Sequence, residues 1–318
     1  MAYLNKAGML WAGVPQTAGR VFWVAAGSSY TIDGATYSAS DENDGLSPKR
    51  PLRRVNRAWA LVTANAGDII VLLPGTHSAC TANTATAASV AANVAGVTMM
   101  GLPGTMRGNI MYPKAFLTCV AADQTVNVTA ADIEIANIAF LGDALNVGSA
   151  LVDFSAAANR LYVHDCTFDV TAQTANTGIL GIDALGAAAH VTIERSSFTT
   201  DGVFCACIDM TGTTDSLVQD NIFNHQTGTL AAQITTGAAT DRLTIRGNLF
   251  NDGAGTVTAG IDGTGATIAG GVIITRNRFG VTYTKCVANF DSGEAELSEN
   301  YDSGIGATDG GVVVTGTA

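Results

Sequence analysis

Six stretches decide the fold: IEIANIAF (133–140), LYVHDCTF (161–168), VTIERSSF (191–198), SLVQDNIF (216–223), LTIRGNLF (243–250) and VIITRNRF (272–279). Each ends in Phe, and the steps between Phe140, Phe168, Phe198, Phe223, Phe250 and Phe279 are 28, 30, 25, 27 and 29 residues. Five positions before each Phe stands an aliphatic: Ile135, Val163, Ile193, Val218, Ile245 and Ile274. Asn221, Asn248 and Asn277 precede the last three by two positions, and LSENY (297–301) is a degenerate further copy.

A second marker runs in phase. Val152-Asp153, Ile182-Asp183, Ile208-Asp209, Ile261-Asp262 and Phe290-Asp291 pair an apolar residue with Asp, and Ile234-Thr235 is the copy without one. Two markers sharing one period define a structural repeat. Each copy holds short period-2 segments rich in β-branched residues, bounded by Gly, Asn, Asp and Thr, with no long amphipathic helix. Strands joined by short turns every ~27 residues predict an all-β parallel β-helix, one coil per repeat, with like residues stacked about 4.8 Å apart. A β-propeller needs longer, four-stranded repeats. The Phe residues then form an internal stack, and the Asn residues hydrogen-bond in turns, where Asn tolerates left-handed backbone.

Working outward, residues 1–19 read as an arm, 20–67 as a strand, loop and capping helix, 68–301 as the solenoid and 302–318 as a tail. RVFWVAAG (20–27) is strand-like, and SASDENDGLSPKRP (38–51) is turn-rich. LRRVNRAWALVTANAG (52–67) places Leu52, Val55, Trp59 and Val62 at helical spacing before the stop at Gly67. Such a helix is expected to cover the open first coil. The VVVT run near the C-terminus is β-prone and suits either completion of the last coil or pairing with another chain.

Composition excludes several classes. The 318 residues are 47% hydrophobic and 14% charged, the reverse of a disordered chain. No apolar run reaches the ~18 residues of a membrane span. A net charge of −11 argues against nucleic acid as the main partner. The N-terminus lacks the apolar core of a signal peptide, so folding in the cytoplasm is expected. Cys80, Cys119, Cys166, Cys205, Cys207 and Cys286 lack metal or disulfide spacing and read as small buried thiols.

Catalytic motifs are absent: G-x-S-x-G, H-E-x-x-H and the P-loop pattern do not occur. His77, His164, His190 and His225 are not clustered by spacing and read as surface or turn residues. The loop Asp41-Glu42-Asn43-Asp44-Gly45 has the wrong ligand spacing for an EF-hand and reads as a turn. Asn127-Val128-Thr129 is a glycosylation sequon without secretory context. No catalytic, cofactor or metal residue is assigned on these grounds.

The sharpest candidate is the carboxylate row Asp153, Asp183, Asp209, Asp262 and Asp291, expected to point outward one strand apart. That spacing suits a retaining glycosidase pair or a bound cation, but its repetition favours a turn device. The second candidate is the basic cluster Lys49, Arg50, Arg53, Arg54 and Arg57, read as a solvated helix face or a docking patch for an acidic partner or neighbouring subunit.

The run from Trp23 to His77 resembles the entry segment of right-handed parallel β-helix proteins of the pectin-lyase-like superfamily. Asn43-Asp44-Gly45, Trp59 and Gly67-Asp68-Ile69 carry the resemblance, and the repeats from Ile133 to Tyr301 agree with it. It implies a right-handed solenoid and a choice among polysaccharide lyases, glycoside hydrolases, phage tailspikes and inert virion proteins. The family's constellations of carboxylates with an Arg, Lys or His partner do not map onto this chain. The expectation is therefore a non-enzymatic bacteriophage capsid decoration or cement protein, a homotrimer located in the virion and contacting the major capsid protein or other virion proteins. The alternative is a tailspike-like polysaccharide-degrading enzyme acting through Asp183, Asp209 and Asp262, or a glycan-binding module facing a host surface glycan.

Overall fold

The computed structural model describes residues 19–32, 34–78, 89–102, 105–107, 110–118, 125–142, 150–169, 181–184, 186–200, 206–251, 256–263, 271–280, 283–290, 295–302 and 311–312. Asp291, Cys80, Cys119, Cys205 and nearly all of both terminal segments lie outside them.

The chain winds as a right-handed parallel β-helix with three faces, which among the described residues hold ten, ten and eight strands. The first face runs from Val21–Val24 through Ile69–Leu72, Thr98–Gly101, Glu134–Ala136 and Tyr162–His164 to Ala295–Ser298. The second runs from Gly75–Ser78 through Ile138–Leu141 and Thr167–Asp169 to Tyr301–Asp302, and the third from Val90–Ala92 through Val152–Phe154 and Ile182–Ala184 to Tyr283–Ala288. Every rung is parallel except the last of the second face, where Gly311–Val312 pairs antiparallel with Tyr301–Asp302. Part of the VVVT run therefore completes the solenoid.

Burial explains the repeat. Ile135, Val163, Ile193, Val218, Ile245 and Ile274 stand in register on the first face and are all fully buried. The Phe column fills the interior of the second face: successive centroids from Phe140 to Phe279 lie 4.9, 4.7, 5.1, 4.8 and 4.6 Å apart, with rings within 12° of parallel. The third face packs close to it. A Cβ on Gly260 would lie 2.3 Å from the Phe279 ring, so only glycine fits there. The column ends in a correction: Phe279 pairs with Asp302, while Tyr301 faces outward at 50% exposure.

Between the first and second faces the chain turns through one residue with positive φ. Asn137, Asp165, Arg195, Asp220, Gly247, Arg276 and Glu299 hold this position. The buried Asn column comes one residue later. The expectation of Asn in left-handed backbone is thus displaced by one: Asn221, Asn248 and Asn277 brace the bend rather than form it. Asn248 donates Nδ2 to Val218 O and Asn277 Oδ1, both at 3.0 Å, and its Oδ1 accepts the backbone N–H of Asn221 at 3.0 Å. Asn300 extends the column, and Ser196 begins it by accepting the Cys166 N–H.

The cap is shorter than the helical spacing predicts. The helix spans only Val55–Trp59, with Arg54 extended at its N-terminus and no side-chain cap. Without that cap the first turn is weak, and Asp68 accepts the Thr63 N–H and ties the following chain into a turn. The segment still covers the first coil. Asn56 bonds Ser89 O and the Ala91 N–H, replacing a missing neighbour strand, while the backbone around Gly45 and Leu52 pairs with Trp23.

Candidate functional site

The third face carries the carboxylate row. Asp153 pairs with Asp183, Asp183 with Asp209, Asp209 with Thr235, and Thr235 with Asp262. The next rung corrects the sequence reading: Ala288 rather than an aspartate pairs with Asp262, and Asp291 lies outside the described residues. Strand pairing places neighbouring members about 4.8 Å apart. Asp153 is buried, while Asp183, Asp209 and Asp262 are partly exposed.

Their environments differ. Asp209 accepts the Thr211 N–H at 2.8 Å, the turn device expected of it, and Asp262 accepts Asn289 Nδ2 at 2.7 Å. Asp183 is held by its surroundings in another way: burial pushes its carboxyl up to about 6, and the negative charge of Asp209 adds to the shift. No group of three metal-ligating side chains forms among the described residues.

The first face carries a network that the sequence reading missed. His164 lies between two carboxylates, Nε2 at 2.8 Å from Glu134 Oε1 and Nδ1 at 2.6 Å from Asp165 Oδ2. Its ring stacks on Tyr162 with centroids 4.2 Å apart. Tyr162 O–H, Gln219 Nε2 and Arg195 all donate to the buried Glu194 carboxylate, Thr98 donates to Glu134 at 2.8 Å, and Arg246 donates to Gln219 at 2.9 Å. Burial alone would lower the imidazole, but the hydrogen bonds to Asp165 and Glu134 outweigh it and raise its pKa to about 9. Burial likewise opposes the charges on Asp165 and Glu194, yet their donors keep both below the ordinary carboxylate range.

A signal for this network exists in the repeat. His164, Glu194, Gln219 and Arg246 each follow a column aliphatic by one position, so register unites residues that histidine spacing leaves apart. The other histidines divide. His190 forms a bend with φ 60°, as a turn residue should. His77 and His225 are buried rather than on the surface: His77 Nε2 bonds Leu73 O, and His225 Nδ1 bonds Thr200.

Charge also alternates along the bends. Arg160 pairs with Asp132 at 2.7 Å, Arg242 with Asp215 at 2.6 Å, Arg195 with Asp165 at 3.0 Å and Arg276 with Glu299 at 2.6 Å. In the cap, Arg54 pairs with Asp41 and Arg50 with Asp44. Asn43 donates to Ser38 O and Pro51 O, and Asp44 accepts the Leu46 N–H, so the acidic loop is a turn. Cys166, Cys207 and Cys286 are buried, and burial pushes the Cys166 thiol up to about 12. No helix among the described residues is long and apolar enough to cross a membrane.

No protein-family model matches the chain, and no curated protein matches it. Solved structures do. The pectin methylesterase of Aspergillus niger aligns at a TM-score of 0.50 and 13% identity, over 95% of this chain and 93% of that one. The pectin methylesterase of Erwinia chrysanthemi aligns at 0.51 and 8% identity, over 95% and 94%. At these identities the likeness is one of fold.

Proposed function

We propose that this chain acts on a neutral polysaccharide lying across the third face, with Asp183 and Asp209 as the reacting carboxylates. The observation that carries the reading is the Asp183 carboxyl, pushed up to about 6 beside a second carboxylate one strand away. A carboxyl that keeps its proton into mildly acidic solution is suited to general acid catalysis, because it can deliver that proton to a leaving oxygen. The strand spacing of about 4.8 Å approaches the ~5–5.5 Å that separates the two carboxyls of retaining glycosidases. In this scheme Asp183 protonates the glycosidic oxygen as the bond to the anomeric carbon breaks, and Asp209 attacks that carbon. Water then hydrolyses the glycosyl ester, with Asp183 accepting its proton.

A neutral glycan is favoured over a polyanion, because the protein carries a net charge of −11 and the face is lined with carboxylates. The two fold neighbours, both pectin methylesterases, lend support to a polysaccharide as the substrate class. The test is incubation with a panel of neutral and acidic polysaccharides, reading new reducing ends and unsaturated products. Product release that falls ~100-fold or more in Asp183→Asn is expected. An equal rate in that variant, or no product from any glycan, overturns the proposal.

A second reading is a non-enzymatic bacteriophage virion protein decorating the capsid as a homotrimer. Trimeric mass, particle association and absence of turnover together would select it.

A further inference from the structure

Asp183 and Asp209 stand in one column, one strand apart. After Asp209 the backbone makes a tight turn over Met210–Thr213. The Thr213 N–H returns to Met210 O at 3.1 Å, and Gly212 takes the left-handed φ of 79° that such a turn requires. The turn presents the Thr211 N–H to Asp209 Oδ1 at 2.8 Å. A backbone N–H so placed fixes the orientation of a carboxylate and favours its charged form.

Two buried hydroxyls hold this turn. Thr213 Oγ1 donates to Met210 O at 2.8 Å. Thr240, one coil further on, donates Oγ1 to the same carbonyl at 3.3 Å and accepts the Gly212 N–H at 3.2 Å. Both side chains are fully buried, so water does not compete for these bonds. Thr214 pairs with Asp241 and with Ala189, which sets Ala188, Thr213 and Thr240 in one column. In the coil of Asp183 that column therefore holds Ala188, which has no hydroxyl. The hydroxyls enter it at the coil of Asp209.

We propose that Thr213 and Thr240 are positioning residues that fix Asp209 as the attacking carboxylate, by locking the Met210–Thr213 turn and with it the Thr211 N–H. The inference rests on the reading of Asp183 and Asp209 as the reacting pair. Each threonine acts through the backbone of the turn, not on the carboxylate itself. The effect reaches Asp183, whose charged neighbours in the column are Asp153 on the preceding strand and Asp209 on the next. A loosened turn lets Asp209 swing away or take up the proton. Either change weakens the help that its charge gives to the Asp183 proton, while the larger contribution of burial stays.

Three variants of the full chain test it. Thr240→Val keeps the side-chain shape without the hydroxyl, Thr240→Ser keeps the hydroxyl, and Asp209→Asn removes the charge outright. Amide exchange at Thr211 should accelerate in Thr240→Val and stay near native in Thr240→Ser. In an NMR titration, the Asp183 midpoint should fall from about 6 in Asp209→Asn, fall part of the way in Thr240→Val, and stay in Thr240→Ser. On a polysaccharide that the native chain hydrolyses, Thr240→Val should lose roughly 10- to 100-fold in kcat with KM nearly unchanged, and Thr240→Ser should keep most of the rate. A Thr240→Val chain that titrates and turns over as the native does, while its Thr211 amide exchanges faster, overturns the proposal and leaves the threonines purely structural. Equal losses in the Val and Ser variants overturn it too. If Thr240→Val does not fold, Thr213→Val removes the other hydroxyl and is read in the same way. If the native chain hydrolyses no glycan, the polysaccharide reading falls alone, and titration with exchange still decides whether the two hydroxyls set Asp209 apart from Asp183.

Discussion

The rings of Phe168 and Phe198 lie 4.7 Å apart and within 3° of parallel, and the Phe198 backbone is hydrogen-bonded into strands on both sides. A residue at the middle of the column serves two neighbours at once. Phe198→Ala removes a buried ring from both contacts and opens a cavity that the flanking coils cannot close, because their strands are pinned by backbone pairing. The expected loss is about 3–5 kcal/mol. Phe198→Leu keeps most of the volume and should lose roughly half as much or less. Denaturant midpoints for the two variants check the order. Equal losses would mean that the stack is not what the side chain contributes.

Asn248 occupies a different kind of column. Its side chain satisfies Val218 O and the Asn221 N–H, two buried backbone groups that the bend would otherwise strand. Asn248→Ala leaves both without partners, at about 1–3 kcal/mol each when buried. Asn248→Ser should be milder, since Ser196 holds the same column position and its hydroxyl accepts a backbone N–H from the neighbouring coil. Amide exchange at Asn221 offers a local readout: it should accelerate far more in the Ala variant than in the Ser variant.

These columns were legible in the sequence because burial restricts what an inward position tolerates. The bends were not. Arg160, Arg195, Arg242 and Arg276 all adopt positive φ, where glycine or asparagine is the usual signal. Each is paired with a carboxylate on an adjacent bend, and that interaction spans coils rather than neighbouring residues. The slip at Asp291 has a similar origin. Phe290-Asp291 matches the apolar-plus-Asp pattern better than Val287-Ala288 does, yet the backbone pairing of Tyr283–Ala288 with Thr256–Asp262 puts Val287-Ala288 opposite Ile261-Asp262. The His164 network stayed hidden because its members are scattered in sequence and united only by register.

His164 gives a pH signature. Its folded pKa is raised to about 9 against about 6.5 for a free imidazole, so the protonated ring is favoured in the folded state. The associated stability is complete below the unfolded value and is lost as pH rises through about 9. The carboxylates Glu134 and Asp165 have the opposite sense: held low, they contribute above their unfolded values and lose that contribution on acidification. Unfolding midpoints should therefore decline between pH 7 and 10 in the native chain and stay nearly flat over that range in His164→Gln. An NMR titration placing the ring near 6.5 would contradict this directly.

Asp183 has the reverse consequence for a carboxyl. Its folded pKa of about 6 exceeds the unfolded value of about 3.9, so the neutral form is the favoured one. The stability tied to that neutral form is complete below about 4 and is lost as pH rises through about 6. Asp183→Asn should accordingly be more stable than the native chain at neutral pH, by about 1–2 kcal/mol once solvent screening of the partly exposed group is allowed for, and should match it in acid. If the same carboxyl is the general acid, hydrolysis should fall as pH rises through about 6, while the stabilised Asn variant loses turnover. A variant that gains stability as it loses activity separates a reacting group from a structural one, because a purely structural Asp183 would show the stability change alone.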